Sequence, residues 1–233
     1  MNEALDRFIS LLFPKGCVLC AGIVAYDDLT CKKCLPDRPA GELCKFCGKP
    51  AGSCVCDPNR PWRFERAVSA LNYQAQTRDA ILRLKTELCP RTARFFANEM
   101  AQAVDHAWPD VTFDLVTEIP MHPEKLARRS FNQAALLAAQ VARVLHIPHR
   151  TGLLECCGAL VIQHTLGRDE RFSAAEMRYR LAAPHAEGKV VLIIDDVMTT
   201  GATFDVCAGR LLDGGAKAVY ALAAAGTNKD IAD

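Results

Sequence analysis

The chain has 233 residues, half of them hydrophobic and 24% charged, the composition of a soluble globular protein with one full α/β core and a small appendage. Its formal net charge is +1, so whole-chain charge argues neither for nor against nucleic acid, and only a local basic patch could serve that role. No stretch reaches the roughly 18 uninterrupted apolar residues of a membrane helix, and Glu3, Asp6 and Arg7 break up the N-terminal stretch. The sequence therefore predicts neither membrane insertion nor an export signal. Leu5, Phe8, Ile9, Leu12 and Phe13 recur at helical spacing and predict a short helix packed on its own protein.

Twelve cysteines follow an uneven distribution. Eight form four close pairs: Cys17 with Cys20, Cys31 with Cys34, Cys44 with Cys47, and Cys54 with Cys56. Without an export signal, paired cysteines predict metal ligands in a reducing, cytoplasmic compartment rather than disulfides. A two-residue gap lets both thiolates of a pair face one tetrahedral centre, and two pairs complete a closed structural zinc site. Sequential pairing, Cys17/Cys20/Cys31/Cys34 and Cys44/Cys47/Cys54/Cys56, is the simplest arrangement; crossed pairing remains open. An even division into two tetrahedral sets favours two zinc ions over an iron–sulfur cluster. The segment 1–58 is rich in cysteine, glycine and proline, has little room for a core, and needs such a staple to fold.

Near Pro58 the pattern changes, so the expected division is a cysteine module over 1–58 and an α/β domain over 59–233. Apolar runs alternate with helical patterns from there, as in βαβ units around a mostly parallel sheet. Strands are predicted at 67–73, 113–119, 190–194 and 218–224, and helices at 77–84, 91–107, 132–145 and 203–212. The run at 190–194 is apolar throughout, which suits a central strand buried on both faces. Gly214 and Gly215 end the last helix.

The sharpest motif continues that strand: Asp195, Asp196, Val197, Met198, Thr199, Thr200, Gly201, Ala202 and Thr203. Ligands of open α/β sheets bind at the carboxyl ends of strands. Backbone N–H groups of a turn and helix start cradle an anion, and Gly201 allows close approach. Two carboxylates there would repel a bare anion but accept hydrogen bonds from sugar hydroxyls. A 5-phosphate in the turn and a ribose diol on the acidic pair satisfy every part. A Walker loop would need Gly-Lys-Ser/Thr, which is absent. The competing expectation is an ordinary strand–turn–helix junction capped by threonine.

This stretch resembles the phosphoribosyl-pyrophosphate (PRPP) signature of type I phosphoribosyltransferases. Leu12-Phe13-Pro14 before Cys17, Ile119-Pro120-Met121-His122, and Arg129-Ser130-Phe131-Asn132-Gln133 resemble the ComF family, also called competence protein F or GntX-like. The resemblance covers nearly the whole chain. It implies an α/β, Rossmann-like type I phosphoribosyltransferase domain behind an N-terminal double zinc ribbon. It also implies a link to DNA uptake and natural transformation. By position, Asp195 and Asp196 hold the ribose and Thr199 to Thr203 the 5-phosphate. Lys85 matches the pyrophosphate loop, and Arg128, Arg129, Asn132 and Gln133 match the mobile loop that closes over pyrophosphate. Asp195, Asp196, Lys85 and Arg129 are the residues the resemblance marks as catalytic. Mg2+, bound mainly by the diphosphate and ribose, would share the neutralising role of the cations.

Two departures stand out. Ser130 replaces the glycine of the usual Arg-Gly-Phe-Asn-Gln. The family also tends to carry Arg-x-Arg-x-Thr-x-x-Gln-x-x-Leu and then Glu-Arg-x-x-Asn. Gln163, Leu166, Glu170 and Arg171 remain, whereas Cys156, Gly158, Leu160 and Ala174 stand at the other positions, which implies altered acceptor recognition.

Two functions follow as expectations. In the first, a nucleophile attacks the anomeric carbon of Mg-PRPP and pyrophosphate leaves. In the second, the ribbons bind single-stranded DNA or a DNA-uptake protein through Lys15, Lys32, Lys33, Lys45 and Lys49, and the PRPP site is regulatory or vestigial. His122 is either a substrate contact or a hydrogen-bonded structural residue. Trp62, Phe64 and Tyr73 read as core and linker packing rather than a base-stacking platform.

Overall fold

The computed structural model describes residues 15–25, 27–157, 175–182 and 186–227. The expected N-terminal helix, and the positions compared at 158–174, lie outside them. In chain order, β1 (Ala67–Asn72) leads into α1 (Ala75–Thr86) and α2 (Pro90–Ala107). Next come β2 (Leu115–Glu118), α3 (Pro123–Arg129) and α4 (Gln133–Leu145). A short pair, β3 (Leu154–Cys156) and β4 (Tyr179–Leu181), precedes β5 (Val190–Met198), α5 (Ala202–Asp213) and β6 (Ala218–Gly226).

β1, β6, β5 and β2 lie side by side in that order, all parallel. Side chains alternate across a strand, and β5 shows what that does here. Leu192 and Ile194 enter the core beneath α1, α2 and α4, while Val191 and Ile193 enter the opposite core beneath α5 and the β3–β4 pair. Each of the four is fully buried, so the strand has no polar face. Cys17, Val18, Leu19 and Cys34 join the first of these cores, so the first cysteine group shares its packing with α1 and α2.

All eight elements expected from the pattern form, with displaced ends. The largest displacement is on β5, expected to stop at Ile194. Its ladder with β6 runs on through Asp195↔Ala223, Val197↔Ala225 and Met198↔Gly226. Register with a small-residue neighbour holds the acidic pair in strand geometry, although acids are poor strand formers. The pattern missed β3 and β4, which pair over a long sequence separation, and α3. The arginines of the expected mobile loop, Arg128 and Arg129, instead occupy the last turn of α3. Pro123 opens that helix, and the His122 side chain accepts a hydrogen bond from the Glu124 N–H at 3.2 Å. His122 is thus a buried helix cap.

Candidate functional site

The sheet's alternation divides the acidic pair. Asp196 follows Ile194 by two residues and points to the α1/α4 face. There its Oδ2 accepts from the Lys85 ammonium at 2.9 Å and from the Gln133 amide at 3.1 Å. Asp195 turns toward the α5 face, and its Oδ1 accepts from the Asp196 N–H at 2.8 Å. Burial, with the charge of Asp196 beside it, holds the Asp195 carboxyl well above the usual carboxylate range. Burial works against the charge of Lys85, but Asp196 and then Asp195 outweigh it, and its pKa ends above that of a free lysine. One face of the strand end is therefore a neutralised pair, and the other a carboxyl that resists ionisation.

Val197 and Met198 complete β5, and Met198 is buried. Thr199 is exposed and Thr200 half-buried at the turn. Gly201 is the N-cap of α5 at φ +82° and has no side chain to cap the helix. A side chain at Gly201 would meet the Trp62 ring at 3.2 Å, so both the left-handed backbone and the tight packing favour glycine. Thr200 Oγ1 accepts weakly from the Ala202 N–H at 3.4 Å. Among the described residues the N–H groups of Thr200 and Gly201 have no acceptor, and the macrodipole of α5 starts behind them. Ala202 and Thr203 form its first turn.

From the α3–α4 segment, Gln133 reaches Asp196, and Arg129 Nη1 donates to Gln133 Oε1 at 3.2 Å. Asn132 is committed to structure: its Oδ1 caps α4 through the Ala134 N–H at 3.0 Å, and its Nδ2 donates to the Ile119 carbonyl at 3.0 Å. Arg128 is exposed and makes no hydrogen bond to the acidic pair among the described residues. Lys85, Asp196, Gln133 and Arg129 thus form one chain of contacts; Arg128 stands outside it, and Asn132 positions it from the helix start.

The cysteines gather in sequential sets, Cys17/Cys20/Cys31/Cys34 and Cys44/Cys47/Cys54/Cys56, with the sulfurs of each set within 4.8 Å of one another. With bonds near 2.3 Å, thiolates around a tetrahedral zinc lie about 3.8 Å apart. The Cys20–Cys31, Cys44–Cys56 and Cys47–Cys54 separations are 3.8, 3.6 and 3.7 Å. A disulfide needs about 2 Å, so the donor sets fit one metal ion each. Burial raises the Cys17 thiol, but backbone N–H groups, that of Cys31 at 3.3 Å among them, bring it down to about 6. Burial pushes Cys56 up to about 12, against a hydrogen bond from the Trp62 indole.

One expectation is overturned. Lys49, read among the lysines that could meet DNA phosphates, is buried at 5% exposure. Its ammonium donates to the carbonyls of Thr199 at 2.6 Å and Thr227 at 2.5 Å, at the base of the turn. Trp62, read as linker packing, lies against Gly201 and stacks on Phe64 at 4.9 Å. Arg63 donates through its backbone N–H and its guanidinium to Asp205, buried on the first turn of α5. No local pattern distinguishes these residues; Thr199, Gly201 and Asp205, which they meet at the turn and α5, are more than a hundred positions away.

A parallel α/β sheet whose inner strand delivers an acidic pair into a threonine turn is joined here to two four-cysteine groups, the arrangement that the phosphoribosyltransferase-like fold class leads one to expect. No family model matches the chain. It is 30% identical over 221 residues to DNA utilization protein YhgH of Escherichia coli (strain K12), covering 90% of this chain and 96% of that one. It is 28% identical over 200 residues to competence protein ComFC of Bacillus subtilis (strain 168), covering 81% and 80%. Among solved structures, an adenine phosphoribosyltransferase aligns at a TM-score of 0.40 with 14% identity, over 62% of this chain and 74% of that one. The chain belongs to the ComF family.

Proposed function

We propose that this protein binds PRPP with Mg2+ at the carboxyl end of β5 and transfers its phosphoribosyl group to an acceptor, in the service of DNA uptake. The contact chain Lys85–Asp196–Gln133 beside the threonine turn carries the reading. A strand end with a carboxylate already held by a cation and an amide suits ribose hydroxyls, while the open N–H groups of the turn suit a 5-phosphate. The names of YhgH and ComFC, a DNA utilization and a competence protein, support the biological setting.

In this reading Thr199 to Thr203 receive the 5-phosphate, and Asp195 and Asp196 meet the ribose from opposite faces of the strand. Lys85 and Arg129 lie toward the leaving pyrophosphate and offset its growing charge. The nucleophile forms a bond to the anomeric carbon as the bond to the pyrophosphate oxygen breaks, and pyrophosphate departs with that electron pair. Mg2+, held mainly by diphosphate and ribose, supplies further charge neutralisation when bound. Each four-cysteine group holds one structural zinc, and the division at 1–58 and 59–233 separates a metal module from the ligand domain in role.

The test is isothermal titration of Mg-PRPP into zinc-loaded wild type and an Asp195→Asn/Asp196→Asn variant. The variant should bind at least about 10-fold more weakly, the loss of a charge-assisted hydrogen bond. Absence of binding to folded wild type, or equal binding to both, would reject the site.

A further inference from the structure

The second four-cysteine group stands directly behind the turn that the preceding reading assigns to phosphate. The chain between Cys44 and Cys47 folds back on itself, with Gly48 N–H donating to the Cys44 carbonyl at 2.8 Å and Cys44 N–H to the Lys49 carbonyl at 2.8 Å. Gly48, at φ +66°, sits so close to β1 that a side chain there would lie 2.4 Å from the Ala67 carbonyl oxygen. The loop also accepts the Ala67 N–H on the Phe46 carbonyl at 2.7 Å. The knuckle is therefore seated on the sheet, and the next residue is Lys49.

Three contacts run from this knuckle and its linker to the turn. The Lys49 ammonium joins the carbonyls of Thr199 and Thr227, which follow the ends of β5 and β6. A buried ammonium is costly away from its acceptors, so it holds them in place. The Trp62 indole N–H donates to Cys56 Sγ at 3.3 Å, and its ring closes against Gly201. Arg63, the next residue, grips Asp205 on α5. Thus one cysteine ligand, one ring and the turn glycine form a continuous stack. Among the described residues the first cysteine group has no such route: it packs on the far side, where Arg83 of α1 donates to the carbonyls of Val18 and Leu19.

We infer that the second four-cysteine group, through Lys49 and Trp62, positions the 199–203 turn for its phosphate ligand, so that metal at this group and ligand in the turn strengthen each other's binding. Lys49 and Trp62 are positioning residues, and the ligand half of the inference rests on the PRPP reading. Coupling of this kind is reciprocal by thermodynamic necessity. Metal fixes Cys56 and Cys47, these fix the ring and the ammonium, and these fix the turn. Ligand in the turn holds the same parts from the other end.

The test uses the full metal-loaded chain and the variants Lys49→Met and Trp62→Phe, which keep all eight cysteines. Two amides report the turn without any ligand: Asp205, bonded to the Gly201 carbonyl at 2.9 Å, and Thr227, bonded to the Met198 carbonyl at 3.0 Å. Their hydrogen exchange should quicken at least about fivefold in both variants, with α2 amides unchanged and metal content as in wild type. Unchanged exchange at both amides overturns the positioning role, whatever PRPP does. In the second arm, metal release to a chromophoric chelator is followed with and without Mg-PRPP. One of two release phases should slow at least about threefold in wild type and not in Trp62→Phe. PRPP that binds by titration while leaving both phases unchanged overturns the coupling. PRPP that does not bind at all removes the functional reading instead, and the exchange arm still decides whether the group positions the turn.

Discussion

Asp195 and Asp196 are neighbours in sequence and occupy different environments, because successive side chains of a strand face opposite ways. Asp196 is satisfied by Lys85 and Gln133, whereas Asp195 is half-buried on the face of Cys207 and Tyr179, whose own ionisation its charge opposes after burial has done most of the work. The consequence for stability has a definite sign. The folded carboxyl of Asp195 titrates well above the value of about 3.9 of an unfolded aspartate. Between those two values the folded state holds more protons, so stability falls as pH rises through that window. Asp195→Asn should melt higher than wild type at pH 7 while binding PRPP less well. The difference in melting temperature should shrink as pH is lowered toward about 4; a gap constant with pH would show that Asp195 is not the group responsible. Ser130 is a second residue with a cost. It ends α3 at φ +64°, a left-handed position usually filled by glycine. Relief of strain less the extra flexibility of glycine predicts that Ser130→Gly gains about 0.5–1 kcal/mol. Urea melts of the two proteins, with equal slopes, measure it.

At the scale of elements, the turn between β5 and α5 concentrates the constraints. Gly201 at φ +82° both takes a left-handed conformation and faces the Trp62 ring. Gly201→Ala should cost about 1–2 kcal/mol in conformation alone, and should displace Trp62 from the turn. Trp62 fluorescence and PRPP affinity should change together; a variant with unaltered fluorescence and stability would contradict the packing. The segment of α3 illustrates how a short element escapes sequence patterns. With seven residues and none buried, it has no apolar stripe to read, and only Pro123 and the His122 cap mark its start.

For the molecule as a whole, the two four-cysteine groups lie in the cysteine-rich stretch before β1. Metal analysis of purified protein should find two zinc ions per chain; one ion, or iron, would refute the assignment. Chelation should lower the melting temperature, because a metal that binds only the folded chain adds to its stability. The groups are unlike in their surroundings. Cys17 and Cys34 are packed into the core shared with α1 and α2, whereas the other group reaches the 199–203 turn through Lys49 and Trp62. Substitution of cysteines in one group and then in the other separates these roles. Among the described residues no helix is long and apolar enough to cross a membrane.

Much of this was legible in the amino-acid order, for a physical reason. The cysteine spacing, the apolar run at 190–194 and the acid–threonine–glycine turn are local, and each is complete within a short stretch of chain. Eight of the strands and helices were visible because burial against a sheet imposes a period of 2 or 3.6. What lay beyond the sequence was the arrangement of distant partners. That β5 is buried on both faces was readable, but not that the strand would carry on through the acids, nor that Lys85 of α1 and Gln133 of α4 would meet on Asp196. Lys49 reads as one more lysine among cysteines, and only the seating of its knuckle on β1 turns it inward to Thr199. Spacing along the chain determined which ligands and motifs exist; packing between elements far apart in sequence decided which of them touch.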